Sequence, residues 1–190
     1  MADRALRLVI LGRQGSGKGT QALRLVEHYG TNHVSTGDML RAAVAEGTEL
    51  GRRAKEIMDA GGLVSDEIMN GVVAERLAKP DIAERGVILD GFPRTPAQAD
   101  ALEAIVGKGG IDAAINLDVP VDIVKERMRL RARPDDTPDA IDRRLGLYEQ
   151  ETAPLLDWFA SRGLLHVVNG LGTEDEVFAR LVDAIESVRS

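Results

Sequence analysis

Leu6-Arg7-Leu8-Val9-Ile10-Leu11-Gly12-Arg13-Gln14-Gly15-Ser16-Gly17-Lys18-Gly19-Thr20 decides the fold. Leu6–Leu11 is almost wholly apolar, and its middle is β-branched. Such a run reads as a strand buried on both faces. From Gln21 to Tyr29 the apolar residues Leu23, Leu25 and Val26 sit near helical spacing. Strand, glycine-rich loop and helix in that order form the setting of a phosphate-binding loop. The glycines allow positive φ and turn successive N–H groups inward. The helix N-terminus adds partial positive charge, and Lys18 adds a full one. Isolated glycines can be neutral, but four of them around a lysine at this spot are not easily so.

Working outward, Gly12, Gly17 and Lys18 fit the pattern G-x-x-x-x-G-K-[ST]. Gly19 then intervenes, and the hydroxyl arrives one place later at Thr20. That shift weakens a generic ATPase or GTPase reading.

Past the first helix, His33-Val34-Ser35 reads as a second strand. Thr36-Gly37-Asp38-Met39-Leu40-Arg41 opens a helical stretch that runs to about Lys79, broken at Gly47, Gly51 and Gly61-Gly62. Ser65 with Asp66 and Glu67 starts another helix, its acids in the first turn. Gly86–Asp90 is a strand ending in an acid, followed by Gly91-Phe92-Pro93-Arg94. Thr95-Pro96-Ala97-Gln98 has the form of a capping box with proline at the first helical position. Ala113–Val119 is a further strand, and Asp122–Arg131 a helix with Arg127 and Arg131 on one face. Arg133–Pro138 reads as a loop. Asp139–Arg162 reads as one long helix bent at Pro154, with Ile141, Leu145, Tyr148, Thr152, Leu155 and Phe159 along one side. Leu164–Val168 is the last strand. Thr173 and Glu176 cap a final helix whose stripe is Val177, Phe178, Leu181, Val182, Ile185 and Val188.

Strands alternating with helices imply an α/β fold, a parallel sheet with helices on both faces. Ligands then bind at the carboxyl ends of the strands. The glycine loop, Asp90 and the loop at Gly170–Gly172 converge there. The stretches 35–64 and 131–137 are candidate mobile covers.

A chain of 190 residues suits one domain with a sizeable core. It has no cysteine, which excludes a disulfide framework and any cysteine-based zinc site and fits a cytoplasmic setting. Met1-Ala2-Asp3-Arg4 lacks a signal-peptide pattern, and no apolar run approaches membrane-spanning length. The net charge of −7 argues against nucleic acid as a bulk partner. Arginines outnumber lysines 19 to 5, and six of them fall between Arg127 and Arg144. Arginine presents a planar fork suited to phosphate. An acidic chain with clustered arginines suggests a focused anion site, although exposed salt bridges account for part of the count.

Taken in order, these motifs resemble those of the adenylate kinase family in its short-lid form. The resemblance rests on Gly15–Thr20 with the G-K-G-T variant, Ser35–Arg41, Gly62-Leu63-Val64, Asp90–Arg94 with Gln98, Arg131–Asp136, Arg144 and Ala153-Pro154-Leu155. It implies a P-loop three-layer sandwich with about five parallel strands, one core domain over residues 1–190, an AMP-binding segment at 35–64 and a short lid at 130–137. It implies Mg²⁺-dependent transfer of the terminal phosphoryl group of ATP to AMP, giving two ADP, by a monomer with no nucleic-acid or membrane partner. By the same resemblance Gly15, Ser16, Gly17, Lys18, Gly19 and Thr20 hold ATP phosphates, Arg131 meets ATP, Arg127 packs on its adenine and Gly172 contacts that adenine through backbone. Thr36, Arg41, Arg94 and Gln98 line the AMP site, with main chain at Gly62, Leu63, Val64, Gly91, Phe92 and Pro93. Arg133 and Arg144 meet phosphates, including that of AMP. The long zinc-bearing lid of some relatives is absent. Arg13-Gln14, Ser65 and Pro134 depart from the residues usual at their places.

Phosphoryl transfer to a phosphate oxygen needs no general base, since the acceptor is already anionic. His28, His33 and His166 therefore read as structural or surface residues. Catalysis becomes positioning and charge screening, roles open to Lys18, Arg94, Arg131, Arg133 and Arg144. Asp90 suits Mg²⁺ held through water, or a local turn cap. Thr36 and Gln98 suit an adenine pocket, or helix caps. A UMP/CMP-type kinase and a nucleotide-binding switch are the competing readings; the switch leaves the second arginine cluster unexplained. With no anion between them, Arg131, Arg133 and Arg144 would repel one another in a closed empty site, so closure is expected to be ligand-driven.

Overall fold

The computed structural model describes residues 5–189 except 48, 61, 63, 108, 109, 132 and 135. Five strands form one sheet in the order β2-β3-β1-β4-β5, with every pairing parallel. They are β1 (Arg7–Leu11), β2 (Asn32–Ser35), β3 (Val87–Asp90), β4 (Ala113–Asp118) and β5 (Leu165–Asn169). The apolar run before the glycine loop is thus the central strand, as its two-sided burial demands.

The period of two along β1 divides its side chains between two cores. Val9 and Leu11 point to one face, where they join Val34, Leu89, Phe92, Leu102, Leu155 and Phe159. Leu8 and Ile10 point to the other, where they meet Leu25, Ile88, Ile115, Leu181 and Ile185. Each such side chain contributes about 2 kcal/mol through removal from water. The first helix, α1 (Lys18–Tyr29), and the last, α10 (Glu174–Arg189), cover the second face. Leu23, expected on the apolar stripe, is 58% exposed; Ala22 and Leu25 carry the buried face. The reciprocal cap of α10 forms as expected. Thr173 N–H donates to Glu176 Oε2 at 2.8 Å, and Glu176 N–H donates to Thr173 Oγ1 at 3.3 Å.

Helices α2 (Thr36–Glu46) and α3 (Glu49–Asp59) follow β2. Gly47 ends α2 with φ 68°, but Gly51 breaks nothing. It lies inside α3, where a Cβ would come within 2.0 Å of the Ala43 carbonyl oxygen. Its role is close helix contact rather than termination. The gap at Gly61 lies outside the described residues. After α4 (Asp66–Leu77) comes a helix that the periodicity did not reveal, α5 (Pro80–Arg85). It is too short to show a stripe, and Pro80 at its first turn was the available signal.

Helix α6 (Pro96–Val106) leads into β4, and α7 (Val121–Arg131) follows it. Pro138 opens α8 (Pro138–Leu147) instead of belonging to the loop, with Thr137 Oγ1 accepting from Ala140 N–H at 3.2 Å. The expected single helix over 139–162 is three pieces: α8, a π-helical stretch Tyr148–Thr152 and α9 (Ala153–Ala160). Pro154 has no N–H and its ring clashes with the carbonyl four residues back, so the preceding turn widens. The two ends of the apolar side accordingly serve different cores. Ile141 and Leu145 pack with Val124 and Met128, whereas Leu155 and Phe159 join the sheet.

No helix among the described residues is long and apolar enough to cross a membrane.

Candidate active site

The loop Gly12–Gly17 leaves the carboxyl end of β1 and enters α1 at Lys18. Gly12, Gly15 and Gly17 have φ of 137°, 87° and 100°. At Gly15 a Cβ would also lie 2.8 Å from the Val124 carbonyl oxygen, so only glycine fits. The N–H groups in the first turn of α1 have no intrahelical partner and face the space in front of the loop. Lys18 Nζ curls back to donate to Gly12 O at 2.8 Å and Arg13 O at 3.0 Å.

In front of the loop is a cavity of about 370 Å³. Gly15, Gly17, Lys18, Gly19 and Thr20 line one side. Arg41 from α2, with Gly91, Pro93 and Arg94 after β3, lines another. Arg127 and Arg131 from α7, Arg133, and Arg144 from α8 complete it. Segments from across the chain therefore bring six arginines and a lysine around one space.

Asp90 also lines this cavity, and the other expected residues among those described stand back from it. Ser16 is buried beneath the loop, and its Oγ has no partner among the described residues. Thr36 is 1% exposed and does not cap α2; Ser35 does, accepting from Asp38 N–H at 3.2 Å. Thr36 Oγ1 has no partner among the described residues. Gln98, Phe92 and Val64 are buried, and Gly62 donates its N–H to Ile57 O at 2.8 Å. Gly172, with φ 117°, lies after β5 and outside the cavity lining. Leu63 lies outside the described residues.

The electrostatics follow from confinement. Burial lowers the Lys18 pKa to about 8; Asp90 opposes the shift, while Arg94, Arg131 and Arg133 add to it. Burial also lowers that of Arg94, with Asp90 opposing and Arg144 and Arg41 reinforcing. These groups are cations in a site short of anions. For Asp90 burial pushes the pKa up, but His33, Lys18 and Arg94 outweigh it and hold the carboxyl below its usual range. His33 Nε2 stands 3.6 Å from Asp90 Oδ2, beyond hydrogen-bond reach, and has no hydrogen-bond partner among the described residues. His28 instead packs edge-on against Tyr29 and Phe178, at 4.7 and 5.6 Å between ring centroids.

Mg²⁺ needs only one or two protein oxygens when phosphates and waters complete its shell. Asp90 fits that demand: it is ionised, lines the cavity and stands 3.7 Å from where a Cβ on Gly19 would be. No group of three or more His, Cys, Asp or Glu among the described residues could hold a metal without a ligand's help.

Sequence reasoning missed Asp136. Its side chain is fully buried and accepts from Arg131 Nε and Nη2, Arg144 Nη1 and Arg133 N–H, at 2.9, 3.0, 3.0 and 3.3 Å. The signal was available, because an acid flanked by arginines in a short loop has few other partners. It alters the electrostatic premise for closure. An internal anion already stands among these arginines, and Arg144 Nη2 also donates to Met58 O of α3 at 2.9 Å. A second unforeseen tie is Arg13, whose Nε and Nη2 converge on Glu149 Oε1 at 2.9 and 2.7 Å.

A parallel sheet with a glycine loop, a lysine and converging arginines at its carboxyl edge defines a P-loop nucleotide-binding protein. Residues 10–164 match the family model described as Adenylate kinase. An adenylate kinase of Stenotrophomonas maltophilia strain K279a is 51% identical over 188 residues, covering 96% of this chain and 100% of that protein. One from Mycobacteroides abscessus is 48% identical over 182 residues, covering 95% and 99%. One from Xanthomonas campestris strain 8004 is 47% identical over 186 residues, covering 95% and 99%. The chain belongs to the adenylate kinase family.

Proposed function

We propose that this chain catalyses reversible, Mg²⁺-dependent transfer of the terminal phosphoryl group of ATP to AMP, giving two ADP. The observation that carries the reading is one cavity with two groups of phosphate-binding residues. The glycine loop with Lys18 forms one group; Arg41, Arg94, Arg133 and Arg144 form the other. A nucleotide-binding switch needs only the first.

In this reading Gly15–Thr20 and Arg131 hold the ATP phosphates, and Arg127 and Gly172 meet its adenine. Lys18 exchanges two carbonyl acceptors for phosphate oxygens and follows the migrating group. Arg94, Arg133 and Arg144 hold the AMP phosphate against the electrostatic repulsion of ATP, which makes positioning the main catalytic contribution. The acceptor oxygen is already anionic, so no side chain need remove a proton. Asp90 would hold Mg²⁺ through water, and the ion would supply positive charge that screens the phosphates.

Thr36, Arg41 and the main chain at 62–64, in a segment at 35–64, form the AMP side together with Gln98 and the main chain at 91–93; that segment closes together with a short lid at 130–137. The buried, unpartnered Thr36 hydroxyl supports this reading over a capping role. UMP/CMP-type kinases typically carry Ala and Asn where Thr36 and Gln98 stand, which favours adenine. The same reading makes the protein a cytoplasmic monomer engaging ATP, AMP and ADP. Its net charge of −7 disfavours nucleic acid.

The test is ADP formation from ATP with AMP, CMP, UMP or GMP. AMP is expected to be the preferred acceptor by a wide margin. No ADP from ATP plus AMP overturns the reading.

A further inference from the structure

Gln98 is 2% exposed, and its hydrogen bonds do not make the capping box that its spacing suggests. Its backbone N–H donates to Thr95 Oγ1 at 3.2 Å, which is the first half of that motif. The second half would return the side chain to the Thr95 N–H. Instead Oε1 accepts from the Arg94 N–H at 2.7 Å, and Nε2 donates to Asp66 Oδ1 at 2.6 Å. Asp66 belongs to the first turn of α4, so this bond joins two helices 32 residues apart in sequence.

Both partners of the amide are chemically one-sided. A backbone N–H can only donate, and an ionised carboxylate can only accept. A flipped amide would set its NH₂ against the Arg94 N–H and its oxygen against the Asp66 carboxylate. Two repulsive contacts in a buried place exclude that arrangement. The amide therefore stands one way round, fixed from both ends. Each end keeps spare capacity, since an amide has two donor hydrogens and two acceptor lone pairs. One N–H and one lone pair remain. Close to this loop lies the unpartnered hydroxyl of Thr36, 2.7 Å from where a Cβ on Gly91 would be.

We propose that Asp66 is a specificity-determining positioning residue: by pinning Nε2 of Gln98 it fixes which bases the amide can pair with. The oriented amide suits a base with an amino group beside a ring-nitrogen acceptor, as in adenine. It opposes an oxo base such as hypoxanthine, where acceptor and ring N–H are reversed. The proposal rests on the reading of Gln98 as a contact to the acceptor base. It deepens that reading by making selectivity depend on a residue that itself touches no nucleotide.

Inosine monophosphate is the decisive probe, because it differs from AMP only in the groups that the amide would read. The ratio of kcat/KM for AMP to that for inosine monophosphate is measured with saturating ATP. Asp66→Ala is expected to lower this ratio about tenfold, the scale of one hydrogen bond. The Arg94 N–H still holds the other end, which limits the loss. Asp66→Asn can turn either oxygen or nitrogen toward Gln98, so it lowers the ratio less while keeping the side-chain shape. Gln98→Ala serves as the control and should also lower the ratio. If Gln98→Ala lowers it while both folded Asp66 variants keep the wild-type value, Asp66 only supports the helix and the proposal is overturned. A ratio unchanged in Gln98→Ala overturns the base contact itself, and the proposal with it.

Discussion

Asp136 grips Arg131 through both carboxylate oxygens, with Nε to Oδ2 at 2.9 Å and Nη2 to Oδ1 at 3.0 Å. Its side chain is fully buried, whereas that of Arg131 is 28% exposed and that of Arg144 11%. A buried carboxylate shared by two arginines stands where a phosphate would otherwise be needed to balance them. Asp136→Asn keeps the shape and removes the charge, leaving part-buried guanidiniums without their anion. The expected cost to the free protein is about 3 kcal/mol in denaturant unfolding. Bound ATP supplies a replacement anion, so the deficit should shrink in its presence. An equal deficit with and without ATP would mean that Asp136 does not share its arginines with the ligand.

Arg13 ties the phosphate loop to the π-helical stretch. Its carbonyl also accepts from Lys18 Nζ at 3.0 Å, so this tie bears on the resting place of the lysine. The guanidinium lies 5.2 Å from the Tyr148 ring centroid and contacts Glu149. The pair is part-exposed, with side chains 21% and 51% accessible, so its contribution to stability is about 0.5 kcal/mol. Its effect on loop placement should be larger. Arg13→Ala and Glu149→Gln are each expected to raise KM for ATP about fivefold, with Tm little changed and the effect fading in high salt. The double variant should be no worse than either single one. Additive losses would show that the two residues act separately.

The glycine loop, the strand and helix beside it and the arginines were legible because they rest on short-range pattern. A buried strand announces itself by apolar continuity, and a phosphate loop by glycines at fixed spacing. The ties between distant segments left no such mark. Asp66 reads as an ordinary first-turn acid until α4 and α6 pack together. Likewise Gly51 reads as a helix breaker until Ala43 lies against it. The π-helical stretch escaped because Pro154 announces a bend but not the form the bend takes.

Gly51 offers a direct check on that packing. Glycine inside an exposed helix usually costs about 1 kcal/mol relative to alanine, so propensity alone predicts that Gly51→Ala stabilises. Here the added methyl would meet the Ala43 carbonyl oxygen at 2.0 Å and the Val44 nitrogen at 2.7 Å. Backbone cannot swing aside as a side chain can. Gly51→Ala is therefore expected to destabilise by about 1–3 kcal/mol, the range for overpacking. Thermal unfolding measures it, and a raised Tm would mean that α2 and α3 do not cross as closely as described.

Lys18 carries the pH dependence. Confinement lowers its pKa from 10.5 to about 8 in the free protein. At pH below 8 the lysine is charged in both folded and unfolded chains, and its burial opposes folding. Between pH 8 and 10.5 the unfolded chain binds more protons, so this opposition is relieved as pH rises. Activity runs the other way, because only the ammonium screens a phosphoryl group. For the free enzyme, kcat/KM for ATP should fall above about pH 8, approaching tenfold per unit. Bound phosphates favour the charged lysine, so the fall in kcat should begin at least about one unit higher. Lys18→Arg stays charged throughout and should lose this limb while keeping some activity. Lys18→Ala should lower kcat at pH 7 by at least about 10²-fold, the scale for removing one contact to a developing anion. A wild-type profile flat to pH 10, or full activity in folded Lys18→Ala, would remove the lysine from the chemistry.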